Sequence, residues 1–349
     1  MLVFRKYCEI KLLTAFLLFL LVGTTPASAT PGIDNAYVAN SVSSTVSVIN
    51  TLNNTVVATI LGLTNPNGIA VTPDGSYVYV ANFGTTTVSV IDTSNNMIVA
   101  TIPAGLRPSA VAVTPDGTHV YVTNYVSGTV SVIDTSNNMV VATIPVAGPG
   151  PAGVAITPDS SLVYVSNSLG NTVSVISTSN NMIVASITVG AEPFGIAFTP
   201  NGSYAYVANN NSFSVSVIRT LDNTVIATIP GFDHPQAIAI TLDGILAYVT
   251  NAAANTVSVI NTLNNTVVAT IPVGTFSEGI AISHDGSHIY VANQITSNVS
   301  VIDLSNNMVV AAITVGTGPF GVGTVRGIPR GATAFLRYPI RPSRLRESR

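Results

Sequence analysis

Arg107, Glu192, His234 and Glu278 are the side chains best suited to chemistry in this sequence. They supply a fixed cation, two carboxyls able to act as acid or base, and an imidazole that titrates near neutrality. Their spacing is not that of a local motif. Arg107, Glu192 and His234 share one phase of a long repeat, the place before a loop proline, where the units read Asn65, Arg107, Gly150, Glu192, His234, Phe276 and Gly318. Glu278 belongs to the phase two residues later, with Asn67, Ser109, Ala152, Phe194, Gln236 and Phe320. A zinc-type centre needs three or four His, Cys or carboxylate ligands converging on one point. Here the candidates come from different units, with one His among them, so no metal, cofactor or catalytic residue is assigned. The expectation is a recognition face built from Asn65, Asn67, Phe83, Arg107, Tyr125, Glu192, Phe194, His234, Gln236 and Glu278, with the aromatics and Arg107 as anchors.

The elements that position these residues follow from the repeat itself. Tyr-Val-Ala-Asn at Tyr37 returns in variant form at Tyr79, Tyr121, Tyr164, Tyr206, Tyr248 and Tyr290, in steps of 42, 42, 43, 42, 42 and 42 residues. One unit, Asn67 to Gly105, divides into four strands at Ile69–Thr72, Tyr77–Ala81, Thr87–Ile91 and Met97–Ile102, rich in Val, Ile, Tyr and Thr. Thr72-Pro73-Asp74-Gly75 makes the first turn, and Asn95-Asn96 the last hairpin, because Asn tolerates positive φ. The near-continuous MIVATI run suggests strands covered on both faces. Seven units of four antiparallel strands predict an all-β, seven-bladed propeller. Its first unit lacks an inner strand, so the segment near Phe320–Val325 should supply it and close the ring. Repeated turn aspartates such as Asp74 and Asp116 stand alone, without the neighbouring carboxylates of a calcium loop. His119 and His288 share a phase two residues before the motif Tyr, which points to a structural position, and His284 replaces a turn proline.

The ends of the chain differ from the repeats. Residues 1–29 carry Arg5, Lys6 and Lys11 before an apolar stretch and then Ala27-Ser28-Ala29, the order of a secretory signal cleaved after Ala29. This places the protein outside the cell or on its surface, with no transmembrane segment in the mature chain. The single cysteine, Cys8, lies inside that segment. Sequons at Asn53, Asn201, Asn210, Asn264 and Asn298 are candidate glycosylation acceptors. Between Thr30 and Val325, thirteen Asp or Glu face only Arg107 and Arg219, a balance that disfavours nucleic acid. Residues 326–349 form an Arg-rich tail.

These features together resemble the YVTN-family β-propellers, found in archaeal surface-layer and surface-antigen proteins and in bacteria. The resemblance covers Asp34 to about Val325. It implies an envelope setting and brings no catalytic residues to carry over. The expected function is therefore a non-enzymatic surface module binding cell-envelope protein or glycan. The alternative is a lactonase-like hydrolase with its site at the channel mouth, since some propellers hydrolyse esters there.

Overall fold

A computed structural model describes residues 34–325. Its strands form seven four-stranded antiparallel sheets, arranged as the blades of a propeller. Blade 2 is representative: Pro66–Val71 innermost, then Tyr77–Asn82, Thr87–Asp92 and Met97–Pro103 at the rim. Inner strands of blades 3 to 7 begin at Pro108, Pro151, Pro193, Pro235 and Ser277. Blade 1 is assembled from both ends of the described chain. Pro319–Thr324 pairs antiparallel with Asn35–Asn40, with Tyr37 opposite Gly323 and Val38 opposite Val322. The ring closes as the repeat phase requires.

Inner strands start earlier than their hydrophobic run suggests. Pro66 pairs with Asn82 and Ile69 with Val80, so a bulge separates the two and the strand begins at the proline. Pro donates no hydrogen bond, and a strand's first residue is a place where that loss is tolerated. The rim strand departs further from expectation. MIVATI is not covered on both faces: Met97 is 62 % and Val99 51 % exposed, while Ile102 is buried. Blades are wedges, so neighbouring sheets touch near the axis and splay apart at the rim. Only the two middle strands of each blade are buried on both faces.

The repeated tetrapeptide is a set of tethers. Its Tyr ring is buried, and its hydroxyl donates to the second Asn of the next blade's hairpin: Tyr79 to Asn138 at 2.7 Å, Tyr121 to Asn181 at 3.0 Å, Tyr248 to Asn307 at 2.6 Å. Tyr290 reaches Asn54 at 2.7 Å, across the closure from blade 7 to blade 1. That second Asn is also the left-handed residue of the turn (Asn138 at φ 57°), while the first Asn accepts from the backbone two residues on, as Asn95 does from Met97 at 2.9 Å. The motif Asn works within its own blade, where Asn82 Nδ2 donates to Ser89 at 2.9 Å and Thr87 at 3.2 Å. Nearer the axis, glycine sets the spacing. A Cβ on Gly195 would stand 2.6 Å from the Gln236 carbonyl oxygen of the next blade.

In the seventh register of this tether, Tyr37 Oη and Asn96 Oδ1 are both buried and make no hydrogen bond. This gives an internal control. Tyr290→Phe removes the partner of the half-buried Asn54 acceptor and is expected to cost about 1 kcal/mol. Tyr37→Phe removes a hydroxyl that has no partner and should be neutral or slightly stabilising. Urea midpoints of the two variants check this; equal losses would show that the tether contributes nothing at the closure.

Candidate functional site

At one mouth of the ring, the loops entering each inner strand lie beside the loops joining the second and third strands. The residue before each inner strand is left-handed in every blade: φ is 47° at Asn65, 53° at Arg107, 55° at Glu192, 50° at His234 and 61° at Phe276, with glycine at 150 and 318. Its carbonyl accepts the first amide of the companion loop, as Arg107 does from Tyr125 at 3.0 Å, Glu192 from Asn210 at 2.9 Å and His234 from Ala252 at 3.1 Å. The backbone is thus uniform around the mouth. Glycine would be the least strained choice there, yet five blades present a side chain from this platform, and such outliers are where function is worth seeking.

The side chains fall into separate groups. Arg107 lies over the Phe83 ring, 5.3 Å from its centroid, and Phe83 lies 6.4 Å from Tyr125. With Asn65, Leu106 and Val126, Arg107 and Phe83 line a cavity of about 420 Å³. His234 forms a second group on blades 5 and 6: its Nδ1 is 2.9 Å from Asp233, and Phe213 meets the imidazole edge-on at 5.0 Å. Glu192, Phe194, Asn67 and Gln236 hold half-buried positions on the same mouth, and Glu192, Asn67 and Gln236 make no side-chain hydrogen bond among the described residues. Blade adjacency therefore gathers Asn65, Phe83, Arg107 and Tyr125, and keeps the other candidates apart.

Glu278 differs from all of these. It is the second residue of the inner strand Ser277–Ile282 and is only 4 % exposed. Burial pushes its carboxyl up to about 8, and among the described residues no cation lies in an ion pair with it. Its backbone is fixed: Thr250 Oγ1 donates to the Glu278 carbonyl at 2.8 Å. Ser277, where the other blades have proline, donates from Oγ to the Asn251 carbonyl at 3.1 Å. Both contacts come from the blade 6 strand Leu246–Asn251, so the strand that carries the carboxyl is pinned to that neighbour. Among the described residues no three His, Cys, Asp or Glu side chains could hold a metal ion, so the donor set does not fit a metal centre and no step is assigned to one.

A larger cavity, about 640 Å³, opens at the opposite mouth and was not anticipated from sequence. Val71, Val113, Ile156, Phe198, Ile240 and Ile282 line it, together with turn prolines. Its one hydroxyl, Thr324 Oγ1, already donates to the Ile282 carbonyl at 2.6 Å. Among the described residues no acid or base lines this space. The turn residues of the opposite side are structural. Asp74 Oδ1 accepts from Thr72 Oγ1 at 2.6 Å and from the Ser76 amide at 3.0 Å, while His119 and His288 contact adjacent hydroxyls at 2.8 and 2.7 Å. Of the sequons, Asn53, Asn201 and Asn264 lie on exposed turns and Asn298 is half-buried. Asn210 is 6 % exposed, too buried to serve as an acceptor in the folded protein. The signal segment, Cys8 and the Arg-rich tail lie outside the described residues, among which no helix is long and apolar enough to cross a membrane.

Comparison with known proteins adds the family. The model "Lactonase, 7-bladed beta-propeller" matches residues 30–143 and 69–225, together more than half of the chain. A YNCE-like β-propeller model matches residues 236–330. No protein of curated function matches in sequence. Among solved structures, hydrazine synthase of Kuenenia stuttgartiensis is similar at 22 % identity and TM-score 0.73, over 82 % of this chain and 99 % of that one. A provisionally assigned 6-phosphogluconolactonase from Bacteroides uniformis is similar at 18 % and 0.70, over 83 % and 99 %. Its counterpart from Bacteroides fragilis gives 18 % and 0.70, over 84 % and 98 %. At such identities these structures share the fold. The resemblance to surface-layer YVTN proteins thus narrows to the common seven-bladed propeller. The expectation of a non-enzymatic surface module is overturned by the lactonase match. That expectation rests on the envelope setting, on a surface rich in Thr, Ser and Asn and on the lack of a catalytic cluster, and spacing along the sequence is a weak guide in a ring where neighbouring side chains come from separate blades. By the family model that spans residues 30–225, the chain belongs to the seven-bladed β-propeller lactonases.

Proposed function

We propose that the protein hydrolyses a lactone at the varied mouth of its channel, with Glu278 as the general acid–base. One observation carries this reading: a carboxyl 4 % exposed, without a cation beside it among the described residues, on an inner strand where the corresponding residues of the other blades are neutral. Such a group is costly to bury, and buried carboxyls raised toward neutrality mark acid–base sites. Membership of the lactonase family supports the reaction type.

The chemistry is balanced by one proton carried out and back. As a carboxylate, Glu278 takes a proton from water while the water oxygen bonds to the lactone carbonyl carbon and the carbonyl electrons move onto oxygen. When the adduct collapses, the C=O re-forms, the ring C–O bond breaks, and Glu278 returns the proton to the departing ring oxygen. Lactone and water become a hydroxy acid. A pKa of about 8 makes the carboxylate a far stronger base than an exposed glutamate.

The pH dependence has a defined sign. Activity requires the carboxylate, so kcat/KM, corrected for spontaneous hydrolysis, should rise with pH and level off above about 8. Glu278→Gln should lower it by roughly 100-fold or more on the plateau above about pH 8, and the gap should narrow as pH falls and the wild-type carboxyl is protonated. Stability should move the other way. The folded carboxyl binds its proton more tightly than the unfolded one, so stability falls as pH rises from 4.5 to about 8. Glu278→Gln should remove that fall in Tm. A variant with full activity and an unchanged Tm–pH curve would contradict the assignment.

We also propose that the enzyme works outside the cytoplasm, a reading supported by the order of charges, apolar run and Ala27-Ser28-Ala29. Exported protein should begin at Thr30 on N-terminal sequencing. Intact Met1 in a cytosolic fraction would argue against it.

A further inference from the structure

Charge is scarce at the proposed active mouth. Through all the loops that surround it, the acidic and basic side chains are Arg107, Glu192, Asp233 and His234, with Glu278 on the inner strand of blade 7. One fixed cation therefore faces two exposed or half-buried carboxylates. Arg107 has one face of its guanidinium taken by Phe83. His234 is already beside Asp233. The only other Arg among the described residues, Arg219, is held by Asp222 through Nε at 3.0 Å and through a second short contact, and the described residues contain no Lys. Nor does any helix N-terminus offer backbone amides, because the described elements are strands.

Resting on the hydrolase reading, we infer that this site takes an uncharged lactone and discriminates against phosphorylated ones. A phosphate monoester brings roughly −1.5 to −2 charge at neutral pH. Sites that hold such a group use Arg or Lys clusters or helix N-termini, and among the described residues this mouth has neither. Glu192 and Asp233 would repel it, and so would Glu278 in its active, ionised form. The same arrangement favours turnover of a neutral substrate. Hydrolysis converts an uncharged ring into a carboxylate, which the acidic mouth then repels. Similarity to provisionally assigned 6-phosphogluconolactonases extends to the fold, and the charges at this mouth separate the present chain from a phosphosugar substrate.

The test compares kcat/KM for glucono-δ-lactone and its 6-phosphate on the full-length protein, with spontaneous hydrolysis subtracted. The uncharged lactone should be preferred by roughly tenfold or more at low ionic strength, and the ratio should shrink as salt is added. Replacing both Glu192→Gln and Asp233→Asn should also shrink it. Equal rates, or preference for the phosphate, would overturn this inference while leaving the hydrolase reading intact. Hydrolysis of neither lactone would overturn both.

Discussion

Each blade has one edge at the axis and one at the rim, and the whole assembly depends on the inner edges meeting in a closed ring. Pairing of Pro319–Thr324 with Asn35–Asn40 achieves this. Without it, blade 1 would lose its inner strand, and the apolar faces packed between blades 7, 1 and 2 would open to water. The same pairing buries Tyr37, Val38 and Val322 in the interfaces on either side. Closure also explains why the chain can repeat one tetrapeptide so faithfully: each Tyr and each hairpin Asn meets the same neighbour one blade further on. Tyrosine burial raises most of these hydroxyls to about 12, so they remain donors over the working pH range.

Closure frees the mouth from structural duty. Each loop there is anchored by its own carbonyl–amide bond, and its side chain is left to vary. That accounts for Arg, Glu, His and Phe appearing where the backbone would prefer glycine. At the same phase Asn67, Phe194 and Gln236 are half-buried, whereas blade 7 carries a carboxyl there that is buried. The opposite mouth presents Val, Ile and Phe, so the two ends of one channel differ sharply in polarity.

Much of this was legible in the sequence because seven copies of a unit act as their own comparison set. The four strands, the turn roles of Asp74 and Asn96, the closure and the varied mouth could all be read from phase and residue type. Splaying of the rim strand could not, since MIVATI looks alike whether one face or two is covered. Nor was the apolar cavity, because periodicity does not say which end of an inner strand faces open space. Glu278 was visible as a candidate but not as a buried one. Its burial comes from strands about 42 residues away on either side, and composition carries no trace of that. The group of Arg107 with Phe83 and Tyr125 was implied by phase, while His234 with Phe213 and Asp233 was not.

The account turns on the protonation state of one carboxyl. The full chain has four glutamates, Glu9, Glu192, Glu278 and Glu347, few enough for side-chain carboxyl carbons to be followed individually by NMR after selective 13C labelling. A pH titration, with Glu278→Gln to assign the signal, should show Glu278 changing state near 8. If every glutamate signal of the folded protein instead titrates near the ordinary value of about 4.3, Glu278 is ionised throughout the neutral range and the proposed acid–base role fails.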